Sequence, residues 1–118
     1  VLSLGAIGYT VIEAIRRLGD KANVAHYDMR WLKPMDEQLL HEIGKRFTTI
    51  ITVEDGVISG GLGSAVLEFM ADNGYTPRVI RLGVNDQFVE HGSTKELYQL
   101  LKLDKEGICE SLLQALEQ

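Results

Sequence analysis

The sequence contains a single cysteine, Cys109, and only two prolines among its 118 residues. One cysteine excludes an internal disulfide and fits a reducing compartment, so we expect a cytoplasmic protein. Cys109 lies on the apolar side of a helical pattern, which predicts a buried thiol rather than a nucleophile. No apolar run approaches the roughly 20 residues of a membrane span. The sequence therefore predicts no membrane partner.

Basic residues are outnumbered, with 12 Lys and Arg against 17 Asp and Glu and a net charge of −5. Nucleic-acid binding needs a clustered basic surface, so nucleic acid is not predicted as a partner. His26, His41 and His91 are spread over a strand, a helix and a loop without metal-ligand spacing, and no metal site is predicted. The phosphate-loop, dinucleotide and nucleophile-elbow motifs are missing too. We predict no catalytic residue in this chain.

What the sequence does contain is a regular alternation of β-branched segments and amphipathic helical segments. Four strands are predicted, at Val1–Leu4, Asn23–Met29, Thr48–Val53 and Arg78–Leu82. A helical pattern follows each of them, and one more helix completes the chain.

The ends of the predicted helices carry capping signals. These are Gly19 after the first helix, Asp36 before the second, Asn73-Gly74 after the third, a Ser93–Glu96 capping box for the fourth and Asp104 before the last. His41, beside Glu42 on the second helix, is expected to be solvated.

Alternating strands and helices predict an α/β fold with three layers, in which helices cover both faces of a mainly parallel sheet. Placing the first strand centrally gives the strand order 2-1-3-4, with a switch point between strands one and three. The crevice at that point would be lined by Gly5–Gly8 and Glu54–Gly56. We expect residues 1–118 to form one domain. Because the sequence opens inside a strand, we also expect it to be a fragment of a longer chain.

The most informative pattern is a β-branched strand that ends in two carboxylates and leads through glycines into a helix. Its residues are Glu54, Asp55, Gly60, Gly61, Gly63 and Ser64. Glycine permits positive φ and lets another chain or a ligand approach the backbone, and the helix N–H groups favour an anion or a carboxylate. We therefore predict a contact surface for a ligand or a protein.

Two further pairs are candidate contact residues at strand ends. Asp28 and Arg30 stand at alternate positions and can pair with each other or with Glu54 or Asp55; a structural ion-pair network is the favoured interpretation. Asp86 and His91 lie in a polar loop after the fourth strand. For His91, a functional contact and a loop-ordering hydrogen bond stay equally open.

Four segments carry a resemblance to a known family. They are YDMRWLKPMD at 27–36, TVEDG…GGLGSAV at 52–66, LGVNDQFVEHGS at 82–93 and LDKEGI at 103–108. In this order they resemble the transketolase C-terminal domain family, and the FVEHGS stretch favours its 1-deoxy-D-xylulose-5-phosphate synthase branch.

The resemblance implies the C-terminal domain of a synthase that joins pyruvate and glyceraldehyde 3-phosphate, with loss of carbon dioxide, on thiamine diphosphate and magnesium. In that family other domains bind the cofactors, so we expect none in this chain, and a structural and dimerisation role without autonomous catalysis. The implied partners are the remaining domains of the same chain and a second subunit in a homodimer. An antiparallel edge strand of the family is missing, and the bare edge predicts dimerisation or modest stability.

Three alternatives stay open. The chain also fits the C-terminal part of a transketolase or of a 2-oxoacid dehydrogenase β-type subunit, or a split-gene subunit. A free-standing flavodoxin-like module would instead place a phosphate at the helix start, Gly60–Ser64.

Overall fold

Four parallel strands form the centre of the molecule in the computed structural model, which describes residues 1–21, 23–30, 34–57, 61–84, 98–99 and 101–117. The strands are β1 (Leu2–Leu4), β2 (Tyr27–Asp28), β3 (Thr49–Val57) and β4 (Arg78–Val84). They make one sheet in the order β2-β1-β3-β4, and every pairing is parallel. The predicted strand order is confirmed.

Among the described residues, the helices that cover the sheet and have both ends described are α1 (Ile7–Leu18), α2 (Glu37–Arg46), α3 (Leu62–Asp72) and α4 (Lys105–Leu116). The predicted caps of α2 and α4 are confirmed, since Asp36 accepts a hydrogen bond from the Leu39 N–H at 3.0 Å and Asp104 accepts one from the Gly107 N–H at 2.9 Å. The Ser93–Glu96 capping box lies outside the described residues.

Two apolar cores lie on opposite faces of the sheet. On one face α1 and α4 pack on Ile51 and Val53, and on the other face α2 and α3 pack on Leu2 and Ile50. Because successive strand residues point to opposite faces, consecutive residues of β3 serve different cores. This arrangement confirms the three-layer α/β/α architecture.

The strand bounds differ from the sequence prediction in two places that matter for the site. β2 spans Tyr27–Asp28 rather than Asn23–Met29, because only these two residues pair with β1, opposite Leu2 and Ser3. β3 does not end at Val53 but continues to Val57, with an irregular register between those two residues. The acidic pair that was expected in a loop therefore lies within the strand.

Close packing at the start of α4 explains Gly107 in the LDKEGI segment. A Cβ at Gly107 would lie 2.5 Å from the Lys102 Cα, and Lys102 has a φ of 60°. The backbone before the helix therefore lies directly against the first helical turn. Ile108 and Cys109 follow in the buried core, and the predicted burial of Cys109 is confirmed.

Candidate functional site

The carboxyl end of β3 lies at the switch point of the sheet and carries Glu54 and Asp55. The register pairs Leu4, the last residue of β1, with Glu54. The two acidic residues are adjacent in a strand, so their side chains point to opposite faces. Glu54 reaches the start of α3 on one face, and Asp55 reaches the start of α1 on the other.

The Glu54 carboxylate caps α3 from inside the protein. Glu54 is 3% exposed, its Oε1 accepts from the Leu62 N–H at 3.0 Å, and its Oε2 accepts from the Gly63 N–H at 3.1 Å. A negative charge is stabilised there by two unpaired helical N–H groups and by the helix dipole. The carboxylate expected at this helix start is thus one of the chain's own side chains.

Asp55 makes a similar connection to α1 and adds a second partner. Its Oδ2 accepts from the Ile7 N–H at 3.1 Å, and its Oδ1 accepts from the Tyr98 hydroxyl at 2.6 Å. The hydrogen bond to Asp55, followed by burial and the negative charge of Asp55, raises the pKa of Tyr98 to about 12. Tyr98 was not among the predicted site residues, since no charge or motif singles it out.

Gly5 is the residue that lets Asp55 reach α1. Its φ is 93°, in the left-handed region that glycine adopts readily, and a Cβ there would lie 3.0 Å from the Asp55 Oδ2. A side chain at position 5 would therefore strain the backbone and crowd the cap at once.

The glycines around the start of α3 are not required for positive φ, although the sequence had suggested so. Gly61 has a φ of −91°, and Gly63 is helical, so positive φ does not explain either residue. Close packing explains Gly63, because a Cβ there would lie 2.6 Å from the Arg81 Cγ and 2.8 Å from the Thr52 Oγ1. Gly60 lies outside the described residues.

Ser64 sits in the first turn of α3, where the Arg81 guanidinium donates to its hydroxyl at 3.4 Å. The same turn also contacts the Glu54 carboxylate. The contact or ligand role predicted for the glycine segment stays a prediction.

Asp28 and Arg30 lie together at the end of β2 but do not form the predicted ion pair. The Asp28 Oδ1 accepts from the backbone N–H of Arg30 at 2.9 Å and so closes a turn in which Arg30 has a φ of 56°. Within the part of the chain that the structure describes, two ion pairs form, Arg17–Glu106 and Lys102–Glu110. Asp86 and His91, the other predicted pair, fall outside it.

Two histidines make hydrogen bonds inside the fold. The His26 Nε2 lies 2.7 Å from the hydroxyl of the fully buried Ser3, and burial lowers the pKa of His26. The His41 Nδ1 lies 2.7 Å from the Tyr75 hydroxyl, and its ring meets Phe69 edge-on. The expectation of a solvated His41 was therefore wrong, because the end of α3 and the turn after it cover this side of α2.

The described residues show no metal site. Among residues 1–21, 23–30, 34–57, 61–84, 98–99 and 101–117, the acidic, histidine and cysteine side chains form no group of three or more that could hold a metal ion. None of the helices formed by those residues has the length and apolar character to cross a membrane.

The fold and the capped switch point define the class of this protein as a parallel, three-layer α/β/α domain. Within that class the chain belongs to the transketolase C-terminal domain family, whose model matches residues 1–108.

Similar proteins agree with this assignment. The chain is 62% identical over 113 residues to the 1-deoxy-D-xylulose-5-phosphate synthase of Parabacteroides distasonis, covering 95% of this chain and 18% of that protein. The synthase of Aquifex aeolicus is 43% identical over 116 residues, with 95% and 18% covered. A solved split-gene transketolase, described as an inactive β4 tetramer, superposes with a TM-score of 0.85 at 32% identity, over 98% of this chain and 38% of that one. The chain thus spans about 18% of the length of the curated relatives it matches.

Proposed function

We propose that this chain is the C-terminal domain of a 1-deoxy-D-xylulose-5-phosphate synthase. The complete enzyme would be a transferase that joins pyruvate and glyceraldehyde 3-phosphate with loss of carbon dioxide. The observation that carries the proposal is the 62% identity to a protein of that name along 95% of the chain. Residues 1–108, which match the family model, support a single domain within a longer polypeptide.

Within that enzyme, the proposed role of this domain is structural. A diphosphate at the switch point would need free N–H groups, but Glu54 takes those of Leu62 and Gly63, and Asp55 takes that of Ile7. The incoming phosphates would also face two fixed carboxylates at close range. The described residues of this edge, Glu54, Asp55 and the starts of α1 and α3, therefore do not fit thiamine diphosphate. The same argument weakens the alternative of a phosphate-binding module.

The cofactors and partners follow from this assignment. Thiamine diphosphate and magnesium would be held by other domains, and this domain would pack against them and against a second subunit of a homodimer. The short share of each relative that the chain spans, about 18%, supports partners within the same polypeptide. The lone buried Cys109 supports a reducing compartment such as the cytoplasm.

The proposal is tested by comparing the complete protein with the 118-residue chain. The complete protein should form 1-deoxy-D-xylulose 5-phosphate from pyruvate and glyceraldehyde 3-phosphate, with carbon dioxide released in equal amount. Calorimetric titration with thiamine diphosphate and magnesium should give heat of binding for the complete protein and none for residues 1–118. Failure of the complete protein to make the product would refute the assigned activity, and micromolar binding by the short chain would refute the structural role.

A further inference from the structure

The hydroxyl of Thr52, in β3, is buried without a hydrogen-bond partner. Thr52 is 0% exposed, and its Oγ1 finds neither a donor nor an acceptor among the described residues. Because no surface of this oxygen is open to solvent, water does not replace the missing bond. A hydroxyl that gives up its bonds to water and gains none raises the free energy of the folded state. Such a group in a folded protein calls for an explanation.

The neighbours of this hydroxyl present carbon atoms to it. Leu2 and Arg81 lie opposite Thr52 on the two adjoining strands, β1 and β4. Gly63 of α3 covers it, since a Cβ there would lie 2.8 Å from the Thr52 Oγ1 and 2.6 Å from the Arg81 Cγ. The Arg81 guanidinium, which could have served as a donor, instead donates to the Ser64 hydroxyl at 3.4 Å.

The next residue on the same face of β3 explains why α3 lies so close. Residues two apart on a strand point to the same face, so Glu54 follows Thr52 there. Its carboxylate accepts from the Leu62 and Gly63 N–H groups at 3.0 and 3.1 Å. These charge-assisted bonds draw the helix onto the strand, and Gly63 lets it come near enough to seal the hydroxyl. Attraction at position 54 and the penalty at position 52 therefore act on one helical turn and oppose each other.

The start of α1 has a similar arrangement without the penalty. Gly8 covers the fully buried Ser3, since a Cβ at position 8 would lie 3.1 Å from the Ser3 Oγ. Asp55 caps this helix from β3. The Ser3 hydroxyl, however, has the His26 Nε2 at 2.7 Å. The two helix starts thus differ in whether the buried hydroxyl has a partner.

We propose that the first turn of α3, residues 62–65, is poised to open, and that the Thr52 hydroxyl is the group that poises it. Opening gives this hydroxyl hydrogen bonds to water, which offset part of the loss of the Glu54 cap. Unsatisfied and strained groups are concentrated at parts of proteins that rearrange. This turn contains Gly63 and Ser64, for which a contact role is predicted, so a partner that docks there would meet a movable helix start.

Hydrogen exchange of the complete protein, followed by mass spectrometry, tests the proposal. In the unaltered protein we expect protection factors at residues 62–65 to be at least fivefold lower than those at residues 7–10, the start of α1. Thr52→Val keeps the shape of the side chain and removes the hydroxyl. It should slow exchange at residues 62–65 at least fivefold, which corresponds to the lower end of the penalty for an unpaired buried group. Residues 7–10 should stay unchanged, because they open separately.

Two further variants isolate the hydroxyl. Thr48→Val makes the same chemical change at an exposed position before β3, and it should alter protection at either helix start by less than twofold. Thr52→Ser keeps the buried hydroxyl and removes a methyl group, so it should not slow exchange at residues 62–65.

Four results would overturn the proposal. Equal protection of the two helix starts in the unaltered protein would mean that α3 is not poised. Unchanged exchange in Thr52→Val would mean that the hydroxyl carries no penalty, and faster exchange would mean that valine removes a bond that the hydroxyl makes. Slower exchange at both helix starts would mean that Thr52 acts on global stability and not on this turn.

Discussion

The two ends of the sheet differ: side chains of this chain cap the helix starts at the carboxyl end, whereas a cleft lies at the amino end. At the carboxyl end, Glu54 and Asp55 close the starts of α3 and α1 with charge-assisted hydrogen bonds. At the amino end, a cleft of about 320 Å³ lies between β3 and the segment before β2. Open α/β sheets commonly bind ligands at the carboxyl end, where free helix N–H groups favour anions. In this domain those N–H groups donate to the chain's own carboxylates, and the described cleft lies at the opposite end of the sheet.

Removing the Glu54 carboxylate, which caps α3 at the carboxyl end of the sheet, should have the largest effect on the stability of the domain. We expect Glu54→Ala to lower the free energy of unfolding by about 3 kcal/mol, because two buried N–H groups lose their acceptor. Urea unfolding of residues 1–118 measures this loss. Glu68→Ala, on the exposed side of the same helix, is the control and should stay within about 0.5 kcal/mol of the unaltered chain. Equal stability of the two variants would contradict an internal cap.

The hydrogen bond between Asp55 and Tyr98 should make the stability of the domain depend on pH. Tyr98→Phe should cost about 1.5 kcal/mol at neutral pH, the lower end for a hydrogen bond to a charged group, because both side chains are half-buried. Because the folded pKa of Tyr98 is about 12 and the unfolded pKa about 10, its contribution is complete below pH 10 and is lost as the pH rises toward 12. Unfolding measured from pH 8 to 12 should therefore show the two proteins converging at the alkaline end. A difference that stays constant over that range would rule out this bond as its source.

Truncating a side chain that lines the cleft at the amino end of the sheet should have the smallest effect on the free energy of unfolding. Leu116→Ala is expected to cost less than about 1 kcal/mol in residues 1–118, because half of that side chain already meets solvent. Leu112→Ala, on the same helix but 2% exposed, should cost about 3 kcal/mol and serves as the internal reference. Equal losses for the two leucines would mean that the cleft is closed in the chain alone.

Much of the fold follows from local patterns in the sequence. The helix ends at Gly19 and Gly74 and the caps at Asp36 and Asp104 depend on residues a few positions apart, and each prediction was confirmed. The strand order, also confirmed, followed from the alternation of strands and helices. These signals are local because capping and helix termination are set within one turn of the backbone.

The candidate site could be predicted only in part. The sequence located the acidic pair at the switch point, but not that β3 continues through it and sends each carboxylate to a different helix. Tyr98 reaches Asp55 from 43 positions away, a contact that no local pattern carries. The amino-end cleft depends on the stagger between β1 and β3, which only the three-dimensional register reveals.

The adjacency of Glu54 and Asp55 makes the length of β3 indispensable. Deleting one residue between Thr49 and Val53 would turn each carboxylate to the opposite side of the sheet, as any one-residue slip of a strand does. Neither helix would then keep its counter-charge, although every amino acid involved would still be present. We therefore expect an insertion or deletion in this strand to destabilise the domain more than one in the turn that precedes it.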